Sequence, residues 1–322
     1  MIKATSFAGT IMSGIILYHY PESPFSEKIR LLLGYKKATY QTVKVPIIQP
    51  KPELAVLAGG YRKTPVMQIG ADVYCDTALM ARVIDRMYPD NSIYPASLEA
   101  VSGGLAHWTD TFFFKVAVAV AFQPRGLGST PLFADEKAAA AFMADRAEFT
   151  RGSTELGMDL QVALPYFVMH LKRLDQQLAC APYLFGAAPT IIDFSTYHIC
   201  WFVHNNAALR DTFAPYIHVL AWMTAMAEIG HGQPVEITGT EGLSVARDAS
   251  PEPVAEMTVS QIDGLQVGDV VDITPIDYGL FPVRGALQLA SLEELVLLRE
   301  DPQVGQVAVH FPRLGFKVEK VI

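Results

Sequence analysis

The order of secondary-structure elements near the N-terminus is the feature that most constrains the fold of this chain. Residues Ile15–Tyr20 are apolar and rich in β-formers, and Ser26–Leu33 places apolar side chains at helical spacing until Gly34 interrupts them. Tyr40–Val45 then alternates as a second strand. A strand, a helix and a second strand in this order predict a βαβ unit with parallel pairing.

The region that follows predicts an antiparallel hairpin and a helix. Pro46, Pro50 and Pro52 predict a loop after the second strand. Val66–Ile69 and Val73–Cys75 are short apolar runs separated by a tight turn, and Thr77–Met87 has helical spacing. Together with the βαβ unit, these elements predict a small α/β domain.

Helical periodicity dominates the middle of the chain. The predicted helices cover Leu98–Ala121, Asp135–Phe149, Val162–Leu178, Ile191–Ala207, Tyr216–Ile229 and Glu241–Arg247. Thr190 and Asp193 have the spacing of a capping box, in which two side chains satisfy free backbone N–H groups at a helix start. The sequence therefore predicts an all-helical domain after the α/β domain.

Short alternating strands replace the helical pattern after Ala249. The predicted strands are Val259–Ile262, Val270–Ile273, Gly285–Leu289, Leu295–Leu298, Val307–Phe311 and Phe316–Glu319. Regular spacing of short strands predicts a small all-β, barrel-like domain. The predicted multi-domain organisation is an N-terminal extension over 1–14, an α/β domain over 15–95, an all-helical domain over 96–249 and a small β domain over 250–322.

Composition excludes several classes of protein. Hydrophobic residues make up 51% of the 322 residues, which excludes a mostly disordered chain. Acidic residues outnumber basic ones, 33 to 25, so the chain lacks the overall positive charge that nucleic acids and anionic membranes attract. No apolar stretch reaches the roughly 18 residues of a membrane helix. We therefore predict no nucleic-acid partner and no membrane partner.

The cysteine and histidine patterns indicate neither disulfides nor a metal. The chain has 3 cysteines and no CxxC motif, which argues against a disulfide framework and against a cysteine zinc site. No HExxH motif or other close histidine pair at helical spacing occurs. We predict a chain without a metal, in a reducing compartment.

Three short motifs place polar side chains at strand ends and helix starts. Ser23 stands at the turn from the first strand into the first helix, beside free N–H groups and the positive end of the helix dipole. That position suits an anion such as a thiolate, although serine there is also an ordinary helix cap. Thr64-Pro65 precedes a strand. Asp76-Thr77 opens a helix, and Asp76 would suit a ligand ammonium group while the helix N-terminus could hold a carboxylate.

In this order the motifs resemble those of the cytosolic glutathione S-transferase family, in its serine type. The resemblance covers the chain from Ile15 to Ala249 and implies a thioredoxin-like domain followed by an all-helical domain. It implies that Ser23 stabilises the thiolate of glutathione, and that Pro65 is the cis-proline of the family. Asp76-Thr77 stands where the family has Glu or Gln followed by Ser. The implied glutathione-binding residues are Lys63, Thr64, Pro65, Asp76 and Thr77.

Two alternatives concerning the site stay open. Tyr18 lies on the first strand, near the place where tyrosine-type transferases keep their catalytic phenol, but packing in the sheet also accounts for a strand tyrosine. Trp108 and Phe112 share one face of a predicted helix, where they could line a hydrophobic substrate pocket or pack in the helical core. Ser23 is preferred over Tyr18 as the catalytic residue because its surroundings match the serine type.

The resemblance implies an enzyme that activates the glutathione thiol for attack on a small hydrophobic electrophile. Glutathione would be the co-substrate, and the implied setting is detoxification by a cytoplasmic homodimer. The alternative is a non-catalytic binding or regulatory protein that keeps the transferase fold and contacts a partner through residues 250–322. Glutathione binding distinguishes the two hypotheses.

Overall fold

The computed structural model of the protein describes residues 14–127, 129, 130, 132, 135–254 and 264–321. The predicted N-terminal extension lies outside these residues except for Gly14, and the strand predicted at Val259–Ile262 lies outside them entirely. No helix within the described ranges is long and apolar enough to cross a membrane.

A mixed sheet forms the centre of the N-terminal, thioredoxin-like domain. Its elements are β1 (Ile15–His19), α1 (Pro24–Tyr35), β2 (Thr39–Lys44), α2 (Pro52–Ala58), β3 (Val66–Ile69), β4 (Asp72–Cys75) and α3 (Thr77–Met87). Strand β1 pairs in parallel with β2 and antiparallel with β3, and β3 forms a hairpin with β4. The predicted βαβ unit and hairpin are thereby confirmed.

The loop predicted at Pro46, Pro50 and Pro52 ends where α2 begins, at Pro52. Pro52 occupies the first turn, where a missing backbone N–H costs no hydrogen bond. Gly59 ends the helix with a φ of 64°, a left-handed conformation that glycine adopts without strain. The helix buries Leu54 and Leu57 in a core shared with the sheet.

Helices form the next domain, as predicted. They are α4 (Glu99–Trp108), α5 (Phe114–Ala121), α6 (Pro124–Leu127), α7 (Glu136–Phe149), α8 (Leu160–Leu178), α9 (Ile191–His204) and α10 (Ile217–Glu228). A π-helical segment, Thr109–Phe113, joins α4 to α5, and a 3-10 helix spans Ala207–Phe213. The capping box of α9 is confirmed, because the Asp193 carboxylate accepts from the Thr190 backbone N–H at 2.9 Å.

Strand β5 (Gln233–Glu236) and helix α11 (Gly239–Arg247) return the chain from the helical domain to the first sheet. Strand β5 pairs in parallel with β2 and forms one outer edge of the sheet. The sequence does not predict β5, because all 4 of its residues are exposed and one of them is Pro234, so it has no apolar alternation.

The C-terminal region is strand-rich, as predicted, and its strands extend the first sheet. They are β6 (Val270–Pro275), β7 (Val283–Ala290), β8 (Glu294–Asp301), β9 (Gly305–Pro312) and β10 (Phe316–Lys320). One 10-stranded sheet results, in the order β10-β6-β7-β8-β9-β4-β3-β1-β2-β5, with β9 parallel to β4. Residues 313–315 join β9 to β10, although these strands lie at opposite ends of the C-terminal group. This part of the sheet therefore curls as in a barrel.

Two hydrophobic cores receive alternate residues of β1. Ile15 and Leu17 belong to a core shared with α1, α3 and the helical domain. Ile16 and Tyr18 belong to a second core shared with α2, α11 and the C-terminal strands. Because successive side chains of a strand point to opposite faces, the helical domain and the C-terminal strands use opposite faces of β1.

A buried charged cluster ties β9 to β4. His310 on β9 places Nε2 2.9 Å from the Asp72 carboxylate on β4 and Nδ1 2.7 Å from the Glu294 carboxylate on β8. Burial lowers the pKa of His310, but the hydrogen bonds to both carboxylates outweigh burial and raise that pKa above its ordinary value. The ring of Tyr74 stacks on the imidazole with 4.5 Å between centroids. The junction within the sheet is therefore held by charge as well as by backbone hydrogen bonds.

Candidate active site

A large cavity lies where the thioredoxin-like domain, the helical domain and the C-terminal strands meet. Its volume is about 1140 Å³, and all three regions line it, for example with Ser23, Phe114 and Asp277 respectively. Charged and hydroxyl side chains cluster around Ser23, and aromatic side chains line much of the remainder. A cavity with a few convergent polar groups and a mainly apolar wall is typical of a small-molecule site.

Ser23 lies in the wall of this cavity as the N-cap of α1. Its side chain is buried, and its Oγ accepts a hydrogen bond from the Ser26 N–H at 3.1 Å. The hydroxyl itself points to the Thr64 carbonyl oxygen at a long 3.5 Å. Because α1 begins at Pro24, directly after Ser23, free backbone N–H groups and the positive end of the helix dipole lie next to Ser23. A hydroxyl in this setting can donate to an anion bound in the cavity.

Thr64 and Pro65 line the same cavity next to Ser23. The peptide bond between them is cis. The carbonyl of Thr64 is the group that Ser23 contacts, and the side-chain Oγ1 of Thr64 accepts a hydrogen bond from the Lys51 Nζ at 2.7 Å. The structure therefore brings together two of the motifs that are far apart in the sequence.

Asp76 and Thr77 line the cavity at the start of α3. The Asp76 carboxylate caps the helix by accepting from the Ala78 N–H at 2.9 Å. Its φ of 73° is rare for a residue other than glycine, and such strain is concentrated at functional sites. Desolvation in the cavity wall raises the pKa of Asp76, and the charge of Lys63 and the Ala78 N–H only partly offset this effect. A ligand ammonium group would stabilise this carboxylate.

Lys63 is bound by the loop between β6 and β7. Its Nζ lies 2.6 Å and 2.7 Å from the two carboxylate oxygens of Asp277. The same Nζ lies 4.2 Å from the centroid of the Tyr278 ring, a cation–π contact. Asp277 and Tyr278 also line the cavity. Sequence reasoning missed both residues, because they lie outside any chemical motif.

A second group of cations lies in the cavity wall. Lys51, Arg62 and Arg146 line the cavity, and the Asp145 carboxylate binds both arginines. The Lys51 Nζ lies 5.3 Å from the centroid of the Tyr20 ring. Burial, followed by the charge of Arg146, lowers the pKa of Lys51 to about 7. Two arginines share one carboxylate, and Lys51 adds positive charge below about pH 7, so this wall is positive and suits a ligand carboxylate. No sequence motif marks Lys51, Arg62 or Arg146.

A buried network connects the cavity to α9 through the π-helical segment. The Asp110 carboxylate binds the Lys28 Nζ at 2.5 Å and the His198 Nε2 at 3.0 Å. Burial raises the pKa of Asp110, but Lys28 and His198 outweigh it and hold the pKa at about 2. Both Asp110 and Lys28 line the cavity. Short π-helical segments frequently occur at functional sites, and this one supplies a cavity carboxylate.

Apolar side chains form most of the cavity wall around α5 and α7. They are Phe25, Phe114, Val118, Phe122, Leu132, Phe142, Met143, Phe149, Leu156 and Phe202. Trp108 and Phe112, the predicted substrate-pocket residues, do not belong to the described lining. They stack on each other with 5.9 Å between centroids, and the Phe112 ring contacts the Tyr166 ring at 5.4 Å. Trp108 packs against the core of the helical domain, whereas Phe112 is exposed.

Tyr18 lies in the second core rather than in the described cavity lining. It is fully buried, and its hydroxyl donates to the Gln68 Oε1 at 2.6 Å. Burial raises the pKa of Tyr18 above its ordinary value, so the phenol stays protonated. Of the two candidate residues, Ser23 belongs to the described cavity lining and Tyr18 does not.

The chemistry of the cavity rests on hydroxyl, carboxylate and cationic groups. Within the described part of the chain, no cluster of three or more histidine, cysteine, aspartate or glutamate residues could hold a metal ion. Cys75 precedes Asp76 but is fully buried, and burial raises the pKa of its thiol well above the ordinary value. A thiolate in this cavity would therefore come from the ligand.

The N-terminal and C-terminal domains of one protein family both match the chain. Residues 17–92 match the glutathione S-transferase N-terminal domain, and residues 159–225 match the glutathione S-transferase C-terminal domain. A solved structure of a GST-like protein from Pseudomonas syringae is 38% identical, with a TM-score of 0.80 over 96% of this chain and 100% of that chain. A tau class glutathione S-transferase from mango, Mangifera indica, is 13% identical, with a TM-score of 0.49 over 67% of this chain and 89% of that chain. No curated protein matches the chain.

Proposed function

Because the chain belongs to the glutathione S-transferase family, we propose that it binds glutathione in the polar part of the cavity and activates its thiol at Ser23. The thiolate then attacks an electrophile held in the apolar part. The observation that carries this proposal is the position of the Ser23 hydroxyl, which caps α1 and lines the cavity beside Thr64.

Thiol activation requires stabilisation of the sulfur anion. A free thiol has a pKa of about 8.5, so it is mostly protonated at neutral pH. Each unit by which the pKa falls corresponds to about 1.4 kcal/mol of preferential stabilisation of the thiolate. A hydroxyl donor and a helix N-terminus together are expected to lower the thiol pKa by about one to two units. Ser23 and α1 supply these two groups at one place.

The polar wall offers complementary groups for the tripeptide. Asp76 would take the ammonium group, with Thr77 beside it at the N-terminus of α3. The backbone at Thr64 would pair with the cysteine residue of glutathione, next to Ser23. The positive wall around Lys51 would take a carboxylate. These assignments are supported by the position of all these residues in the wall of one cavity. Lys63 also lines this cavity, but its amine is already paired with Asp277.

The apolar wall suits a hydrophobic co-substrate. Aromatic rings such as Phe114, Phe142 and Phe202 offer large flat surfaces for such a molecule. In the proposed reaction, a bond forms between the glutathione sulfur and an electrophilic carbon. A leaving group departs with its electron pair, or the adduct takes up the proton that the thiol released. Detoxification by conjugation would be the corresponding role.

Assembly and location are proposed from the family alone. We expect a homodimer, as the resemblance implies, and light scattering tests this by giving twice the chain mass of 35.3 kDa. A monomer across the working concentration range would contradict the expectation. We also expect a cytoplasmic location, which cell fractionation would test.

Calorimetry of glutathione binding, combined with the ultraviolet absorbance of the thiolate, tests the proposed chemistry. We expect the wild type to bind glutathione with a thiolate band at neutral pH. Ser23→Ala should still bind but lose most of that band, because the hydroxyl donor is gone. Ser102→Ala is the matched control, since Ser102 is also a buried serine and lies outside the described cavity lining.

The possible outcomes separate the main hypotheses. Retention of the thiolate band in Ser23→Ala, with its loss in Tyr18→Phe, would show that the phenol activates the thiol and that Ser23 is only a helix cap. Failure of the wild type to bind glutathione at millimolar concentration would contradict the proposed function. The non-catalytic alternative would then be favoured.

A further inference from the structure

The loop between β6 and β7, residues 276–282, enters the cavity and is fixed there by the helical domain. The Ser153 hydroxyl donates to the Asp277 carbonyl oxygen, and the Gly279 N–H donates to the Phe149 carbonyl oxygen at 3.0 Å. Gly279 has a φ of 66°, and a Cβ there would lie 2.5 Å from the Phe149 ring. Only glycine fits this contact, so the loop holds a defined position against α7.

The ion pair between Asp277 and Lys63 is well formed within this loop contact. Both carboxylate oxygens lie within hydrogen-bond distance of the Nζ, at 2.6 Å and 2.7 Å. Their side chains are 29% and 15% exposed respectively, so solvent screens the pair only in part. The Tyr278 N–H also donates to the Asp277 Oδ1 at 2.7 Å, which orients the carboxylate toward Lys63.

The two cationic parts of the cavity wall differ in how much of their charge is neutralised. Asp145 alone serves both Arg62 and Arg146, with Lys51 nearby, so positive charge remains for a ligand anion. Lys63 has a carboxylate of its own in Asp277. A ligand carboxylate that approaches Lys63 must therefore displace Asp277 and leave that charge without its partner, which is costly in a partly buried site.

We propose that Asp277 is a specificity-determining residue. Its carboxylate occupies the place beside the Lys63 Nζ that a ligand carboxylate would otherwise take. The cavity then favours thiol peptides that are uncharged at this position, for example as an ester or amide. The inference rests on the proposed function, because it concerns how the same cavity receives glutathione. It assigns to the C-terminal strands a direct part in ligand selection.

A double-mutant cycle on glutathione affinity, measured by calorimetry on the full-length chain, tests the contact. We expect Asp277→Asn to lower the dissociation constant of glutathione by roughly tenfold, because Lys63 becomes available to a ligand carboxylate. In the Lys63→Met background, the same substitution should change the constant by less than about twofold. Asparagine keeps an oxygen for the Tyr278 N–H, so the loop keeps its conformation.

Glutathione diethyl ester, in which both carboxylates are masked, tests the ligand class. We expect Asp277→Asn to shift the ratio of the two dissociation constants by roughly tenfold in favour of glutathione over the ester. This ratio within one protein does not depend on the folded fraction. Asp272→Asn is the matched control, because it neutralises a β6 aspartate whose partner, Arg284, is exposed and outside the described cavity lining.

The outcomes distinguish the inference from the proposed function. If the wild type binds glutathione but Asp277→Asn leaves both its affinity and the ratio unchanged, the inference is overturned and the proposed function stands. An equal gain in the Lys63→Met background would also overturn it, since the effect would then not pass through Lys63. Absence of glutathione binding in every variant would overturn the proposed function and the inference together.

Discussion

Replacing Lys51 by methionine should make the protein more stable near neutral pH, although it removes a proposed glutathione contact. Lys51 is only 5% exposed, and its Nζ donates to the Thr64 Oγ1 at 2.7 Å. Burial is the main cause that lowers its pKa from 10.5 to about 7, and the charge of Arg146 adds to it. Methionine is apolar and flexible, so it fills similar space without a charge.

The size of the effect follows from the shift in the pKa of Lys51. At about 1.4 kcal/mol per unit, the fall from 10.5 to about 7 costs the folded state up to about 5 kcal/mol where the amine is charged in both states. Loss of the hydrogen bond to Thr64 offsets about 1 kcal/mol of the gain. Relaxation and water around a buried charge reduce the cost further. We expect a net gain of about 2 kcal/mol in the free energy of unfolding at about pH 6.

The sign of the pH dependence is fixed by the two pKa values of Lys51. The unfolded chain keeps this proton up to about pH 10.4, whereas the folded chain releases it near 7. Between these values the unfolded state binds more protons, so the stability of the wild type rises with pH. The advantage of Lys51→Met should therefore be largest below the lower value and shrink toward zero near the upper one.

Urea unfolding of the wild type and Lys51→Met at about pH 6, 7.5 and 9 measures the difference in their free energies of unfolding. The dependence of the free energy on urea concentration should be the same for both proteins, which confirms that they unfold in the same way. Lys44→Met is the control, because the Lys44 side chain is 58% exposed and pairs with Glu236 at the surface. Its effect should be small and independent of pH. A wild type more stable than Lys51→Met at the lowest pH, or a difference that does not change with pH, would refute the reasoning.

Three further predictions concern stability. His310→Gln should cost more free energy of unfolding at about pH 6 than at about pH 8. A histidine whose folded pKa is raised stabilises the protein below its ordinary pKa of about 6.5, and this stabilisation is lost as the pH rises through the folded pKa. Equal costs in urea unfolding at both pH values would contradict this prediction. Gly279→Ala should lower the free energy of unfolding by about 1–3 kcal/mol, because the added Cβ would meet the Phe149 ring. Gly305→Ala is the control: its φ of 70° is similar but its surroundings are open, so it should cost less in thermal unfolding. Asp193→Ala should cost about 3 kcal/mol in urea unfolding, because it leaves the buried N–H groups of Leu184, Thr190 and the Trp222 indole without their acceptor.

Local signals predicted much of the fold. The first strand, helix and second strand follow from apolar spacing within short windows, and the capping box at Thr190 follows from two residues three apart. The motifs at Ser23, Thr64 and Asp76 were also predicted to form one site, and the structure places all three in one cavity. That part of the prediction depended on the family resemblance, because no single-sequence pattern brings distant loops together.

The remaining features depend on contacts between distant residues. Strand β5 forms only because β2 offers a free edge, since its own residues are exposed. Lys51 lay in a predicted loop, and the charge that adds to burial in lowering its pKa comes first from Arg146 of the helical domain. The pair of Lys63 and Asp277 joins residues 214 positions apart, and no local pattern predicts their contact. Such contacts arise from tertiary packing, which periodicity does not report.

The pairing of β4 with β9 has a consequence for how the chain folds during synthesis. Asp72 and Tyr74 emerge from the ribosome long before their partners Ala308 and His310, so the edge of the first sheet stays without its neighbour until β9 is made. An unpaired strand edge is a template for association with other chains. Contacts this distant in sequence also form slowly. Chains truncated or stalled before β9 are therefore expected to aggregate through β4, whereas β9 protects this edge in the folded protein.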